Sequence, residues 1–65
     1  QYDKAIKSYK RAIELNPEDA DAYKNMGNAY YHKGDFKNQI FFYKKAARLG
    51  HKNTQKWLKD NGYDW

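Results

Sequence analysis

The sequence predicts an all-α chain, an antiparallel helix-turn-helix fragment of a helical solenoid, on three observations. Apolar and small residues recur at three- and four-residue steps in successive blocks, which places them on one face of a helix. The blocks are joined by short polar links holding glycine or proline, so neighbouring helices must fold back on each other. The first block also returns in the third at an offset of 34 residues: Tyr2 with Phe36, Ile6 with Ile40, Tyr9 with Tyr43, Lys10 with Lys44, Ala12 with Ala46 and Leu15 with Leu49. A fixed period of that length is the mark of stacked helical hairpins.

The first helix is expected over residues 2–15, where Tyr2, Ala5, Ile6, Tyr9, Ala12, Ile13 and Leu15 form the apolar stripe. Asn16-Pro17 ends it, because the residue before a proline is pushed out of the α region. Pro17 can also open the second helix, expected to run to Lys33, with Glu18, Asp19 and Asp21 at the positive end of its dipole. Its inward stripe is Ala20, Tyr23, Met26, Gly27 and Tyr30. Gly34 supplies a left-handed cap, and Asp35 caps the third helix, Phe36 to Leu49. That helix turns Phe36, Ile40, Tyr43, Ala46 and Ala47 inward and stops at Gly50. A short fourth helix starts at Asn53 or Thr54, carries Trp57 and Leu58, and stops at Asn61-Gly62, after which Tyr63 folds back as the contact that completes the cap. Trp57, Leu58 and Trp65 are expected to close the open end of the stack, since a repeat array needs its last apolar face covered.

Composition bounds the chemistry. A chain of 65 residues is a single small domain that buries only about 60% of its unfolded surface. It has no cysteine, so neither a disulfide nor a thiolate zinc site is expected to reinforce the core. No apolar run approaches the roughly 20 residues that cross a bilayer, and no membrane partner is expected. The chain begins without Met and inside a structural unit, which predicts an excerpt of a longer repeat array. Thirteen Lys and Arg against eight Asp and Glu give a net charge of +5, which favours acidic partners. No catalytic group, cofactor or metal is expected. His32 and His51 sit on different elements without a second ligand beside them, and Ser8 has no His or Asp three or four residues away. The glycines fall at caps and at one packing notch, not in a phosphate-cradling loop.

The segment Ala20–Leu49 resembles a tetratricopeptide (TPR) repeat through Ala20, Tyr23, Met26, Gly27, Tyr30, Gly34, Phe36, Tyr43 and Ala46. Residues 1–16 resemble the second helix of a preceding repeat. The chain is thereby read as one TPR-like domain over 1–65: half a repeat, a full repeat over 17–50, and a capping helix with its tail over 51–65. Two departures stand out. Gln39 replaces the small residue found as Ala5 in the first copy, so its side chain is expected either to reach solvent or to open the hairpin. His51 replaces the closing proline, and Ala46-Ala47-Arg48-Leu49-Gly50-His51 resembles the ending of a Sel-type repeat.

The resemblance implies a non-catalytic protein–protein interaction module. In TPR-like superhelices the first helix of each repeat lines a concave groove that binds extended peptides, which implies Asp21, Lys24, Asn25, Asn28, Tyr31 and His32 as partner-binding residues. The run Lys24-Asn25-Met26-Gly27-Asn28 resembles part of the carboxylate clamp by which some TPR domains hold the acidic tails of heat-shock chaperones, so a partner with an acidic segment is implied. Two alternatives come from other classes: a structural or engineered repeat-folding module without a ligand, and a nucleic-acid binder using Lys7, Lys10, Arg11, Lys37, Lys44, Lys45 and Arg48. The second lacks any base-reading motif beside its charge. Phe41 points among Lys37, Lys44 and Arg48, outside the hairpin core. Phe41 with Phe42 on its flank is either an ordinary exposed pair or an interface with a further repeat, a second copy of the chain or a partner.

Overall fold

Four helices follow one another antiparallel in a computed structural model that describes all 65 residues: α1 (Tyr2–Leu15), α2 (Ala20–His32), α3 (Phe36–Arg48) and α4 (Lys52–Asp60). The chain contains no strand. α2 is central, packed between α1 and α3, and α4 packs on the other side of α3. The molecule measures 30 × 26 × 14 Å. Its least dimension is that of two packed helix layers, since Cα cylinders of about 4.6 Å diameter lie about 9–10 Å apart, so the helices keep faces in water.

The helix ends follow from single residues. Gly34, Gly50 and Gly62 all have φ between 83° and 95°, the left-handed region that an L side chain resists. Each is followed by the same pair of closing bonds. Asp35 N donates to Tyr30 O and Gly34 N to Tyr31 O, and the pattern recurs as His51 to Ala46 with Gly50 to Ala47, and as Tyr63 to Leu58 with Gly62 to Lys59. The expected fold-back of Tyr63 is present: its ring lies parallel to Trp57 at 6.4 Å between centroids.

Two boundaries differ from expectation. α2 begins at Ala20, not at Pro17, because the Asp19 side chain accepts a hydrogen bond from Ala22 N and caps the helix there. Pro17 and Glu18 form the turn before it, in which Asn16 accepts from Glu18 N. α4 begins at Lys52, earlier than Asn53 or Thr54, because the His51 ring is its cap. Asp35 caps α3 as expected, accepting from Asn38 N at 3.2 Å and from Asn38 Nδ2 at 2.7 Å. Those two bonds, the side-chain one foremost, hold the Asp35 carboxyl below the usual carboxylate range.

The core lies in two patches. Ile6, Met26 and Ala29 join α1 to α2, with Tyr9, Ile13, Tyr30 and Phe42 packed around them. Tyr43, Ala47 and Leu58 join α3 to α4, with Ile40 and Trp57 alongside. Between α2 and α3 the backbones approach at Gly27, where a Cβ would stand 2.5 Å from Tyr43 Cδ1 and 3.0 Å from Gln39 O. Gln39 therefore does not open the hairpin, nor does its side chain swing out; the residue is buried, and no buried side-chain polar atom lacks a partner.

The ends of the apolar stripes behave differently from their middles. Leu15 is 78% exposed and Phe36 59% exposed, one at the last residue of α1 and the other at the first of α3. Trp65 is also exposed and stands outside the α3–α4 core, to which Leu58 and Trp57 contribute. At the other end of the hairpin Lys33 Nζ bonds Asp3 Oδ1 at 2.8 Å, tying the start of α1 to the end of α2. That bond lowers the Asp3 carboxyl and raises the Lys33 ammonium from their ordinary values.

Candidate functional site

The first turns of α2 and α4 are joined by one ring. His51 Nε2–H donates to Asp21 Oδ1 at 2.9 Å, while Nδ1 accepts from Thr54 N at 3.2 Å and from the Thr54 hydroxyl at 2.6 Å. Because Nδ1 serves as acceptor, the proton sits on Nε2, and a single tautomer satisfies every bond. His51, one of the two departures from the repeat pattern, thus links two helices separated by α3.

Between those helices lies a shallow cleft of about 190 Å³, lined by Lys24, Asn28, Tyr43, Asn53, Thr54 and Trp57. α2 contributes Lys24 and Asn28, one turn apart on the same face. α4 contributes Asn53, Thr54 and Trp57. Tyr43 rises from α3 as the floor, its ring edge-on to Trp57 at 4.9 Å. The Tyr43 hydroxyl donates to Asn28 Oδ1. That bond occupies the carboxamide oxygen and leaves the Asn28 Nδ2 hydrogens without a partner of their own. A lysine ammonium and an oriented amide make a cleft of donors, suited to carbonyl and carboxylate oxygens.

The six residues expected to bind a partner fall into three groups. Lys24 and Asn28 line the cleft, and Asp21 borders it through its bond to His51. Asn25 is half-buried on α2 and does not line the cleft. Tyr31 and His32 lie at the far end of α2 in an aromatic cluster: His32 stacks on Tyr2 at 5.6 Å, and Tyr31 meets Phe36 at 5.7 Å. Phe41 is 59% exposed, as expected, whereas Phe42 is half-buried against Tyr30 at 5.5 Å.

Asn53, Thr54 and Trp57 were not expected at the site. The signal for them was present, since adding 34 to Tyr23 gives Trp57 and so places α4 where the next first helix of a stack would lie. No group of three or more His, Cys, Asp or Glu side chains stands close enough to hold a metal ion. No helix is long and apolar enough to cross a membrane.

Comparison with known proteins agrees with this architecture. A family model described as TPR repeat matches residues 1–34, and one described as Tetratricopeptide repeat matches residues 20–49. The chain is 39% identical over 59 residues to protein O-mannosyl-transferase TMTC1 of Homo sapiens, a match covering 91% of this chain and 6% of that protein. It is 38% identical to cellulose synthase operon protein C of Escherichia coli strain K12, over 92% of this chain and 6% of the relative. It is 32% identical to photosystem I assembly protein Ycf3 of Cyanophora paradoxa, over 91% of this chain and 44% of the relative. The chain thus spans less than half the length of each of these relatives. No solved structure matches it.

Proposed function

The chain belongs to the tetratricopeptide repeat family, whose repeats generally mediate protein–protein interaction and are non-catalytic, and from that premise we propose that it binds an extended, acidic peptide along α2. The convergence of Lys24 and Asn28 with Asn53 in one cleft carries this reading. The lysine ammonium supplies charge for a carboxylate, and the Asn28 Nδ2, left free by the Tyr43 bond to the oxygen, supplies a donor. Asn53 faces them with a carboxamide that both donates and accepts, which suits a peptide backbone. Trp57 gives an apolar wall for the adjacent side chain. Asp21 and Asn25 extend the same face along α2, and Tyr31 with His32 forms its aromatic end.

The test is fluorescence polarisation with a labelled peptide that ends in two acidic residues and a free α-carboxylate, compared with its C-terminally amidated form. Saturable binding is expected, weakened about tenfold by amidation and by either Lys24→Ala or Asn28→Ala, as befits a charge-assisted hydrogen bond. Equal affinity for both peptides together with insensitivity to both substitutions would refute the reading.

A further inference from the structure

α1 and α3 both pack on α2 and leave a gap between them on the face away from the α2–α4 cleft. The gap encloses about 440 Å³. Its floor is Tyr23 and Met26 of α2, and its apolar banks are Ile13 from α1 and Phe41 and Phe42 from α3. Lys10 stands on one bank and Lys45 on the other. Lys45 Nζ lies over the Tyr23 ring, 5.9 Å from its centroid, so the ammonium of this exposed lysine is held at the groove. Phe41 meets Phe42 edge to face at 5.0 Å, which turns its exposed ring toward the opening.

We propose that this groove is a second docking surface, which takes a short amphipathic helix presenting one or two apolar side chains flanked by Asp or Glu. The chemistry of the walls selects a helix over an extended peptide. Its polar groups are only Lys10, Lys45, Glu14 and the Tyr23 hydroxyl, and the backbone groups of α1 and α3 are bonded within their own helices, so an extended strand would leave most of its amides unpaired. A helix satisfies its own backbone and needs only apolar contact. The banks run from residue 10 to 14 and from 41 to 45, about one helical turn or 6 Å, which is room for one or two anchoring side chains.

Charge selects the flanks. Lys10 and Lys45 face each other across the groove, with Glu14 the one acidic group on its rim. A second copy of the chain is disfavoured as occupant, because a two-fold contact through this face would set the lysines of two +5 chains against each other. An acidic partner gains from the same lysines.

The probe is a synthetic helix of about 14 residues with Leu at three- and four-residue spacing and Glu elsewhere, paired with a control carrying Lys in place of Glu. Each is titrated into the uniformly ¹⁵N-labelled chain. Saturable shifts are expected at residues 10–14, 23–26 and 41–45, with the Glu helix binding at least about tenfold tighter than the Lys helix. Phe41→Glu should abolish these shifts and leave the rest of the spectrum in place, and Lys45→Glu should narrow or invert the preference between the two helices. The proposal is overturned by the absence of saturable shifts up to about 1 mM, by equal binding of both helices, or by shifts confined to the α2–α4 cleft. A concentration-dependent dimer that Phe41→Glu dissolves would give the groove to a second copy. Binding of anionic lipid vesicles through these residues in preference to the Glu helix would give it to a membrane surface.

Discussion

Gly27 permits a close approach of α2 and α3. Its missing side chain admits the Tyr43 ring, which in turn orients Asn28 in the cleft, so one hydrogen atom in place of a methyl reaches through packing to the binding chemistry. Gly27→Ala gains about 0.8–1.0 kcal/mol of helix propensity. Against that, the new Cβ would sit 2.5 and 2.7 Å from two carbons of the Tyr43 ring, and the ring cannot retreat freely with Trp57 packed edge-on at 4.9 Å. Overpacking of this kind costs about 1–3 kcal/mol. The expected outcome is a net loss of stability, seen as a melting temperature lowered by several degrees, together with weaker peptide binding because Asn28 loses its anchor. An alanine variant that melts at or above the parent would show that the ring relaxes without cost. Gln39 gives the contrasting lesson. Its residue type announced a disturbance, yet a flexible side chain beside the notch is buried with no polar atom stranded. Sequence shows the size of a side chain but not the space that neighbouring small residues leave for it.

At the scale of the element, the starts of α2, α3 and α4 each rest on one side chain, and those side chains differ in how legible they are. Asp35 could be read directly, because aspartate after a left-handed glycine is a common cap. Pro17 could not be assigned so directly. A proline both ends one helix and can begin the next, and the structure chose Asp19 as the cap two residues later. His51 carried still less signal, since a ring nitrogen caps only in the tautomer that a partner such as Asp21 fixes, and Asp21 lies 30 residues away. The Asp35 cap makes a prediction in pH. Its carboxyl is held below the usual value of 3.8, so its contribution is fully present above that value and is lost as pH falls through the lowered one. Comparing melts of the parent and Asp35→Ala, the difference in melting temperature should stay constant from pH 7 to about 5 and close below about 3.8. A difference that grows on acidification would contradict the cap.

At the scale of the whole molecule, α4 decides whether there is a cleft at all. It is nine residues long and is fixed to α3 chiefly through Leu58, which is fully buried against Tyr43 and Ala47. Leu58→Ala should cost about 2–5 kcal/mol, a large share of the roughly 3–10 kcal/mol expected for a domain of this length. Circular dichroism should show a lower and broader melt, with peptide affinity falling in step as α4 detaches. A variant that melts like the parent would mean that α4 contributes little to the fold. The fold class and the order of the helices were legible because periodicity and glycine caps are local signals. The far wall of the cleft was legible only through the 34-residue offset, and the groove between α1 and α3 was not, since its lining comes from three helices that no local signal brings together.

The ring of His51 sits outside the cleft, yet it spans the two helices that form the cleft's sides. It therefore ties the two sides of the cleft to each other. Replacing this one residue would release that tie while every lining residue stays unchanged, so the cleft is coupled to a side chain outside its own lining.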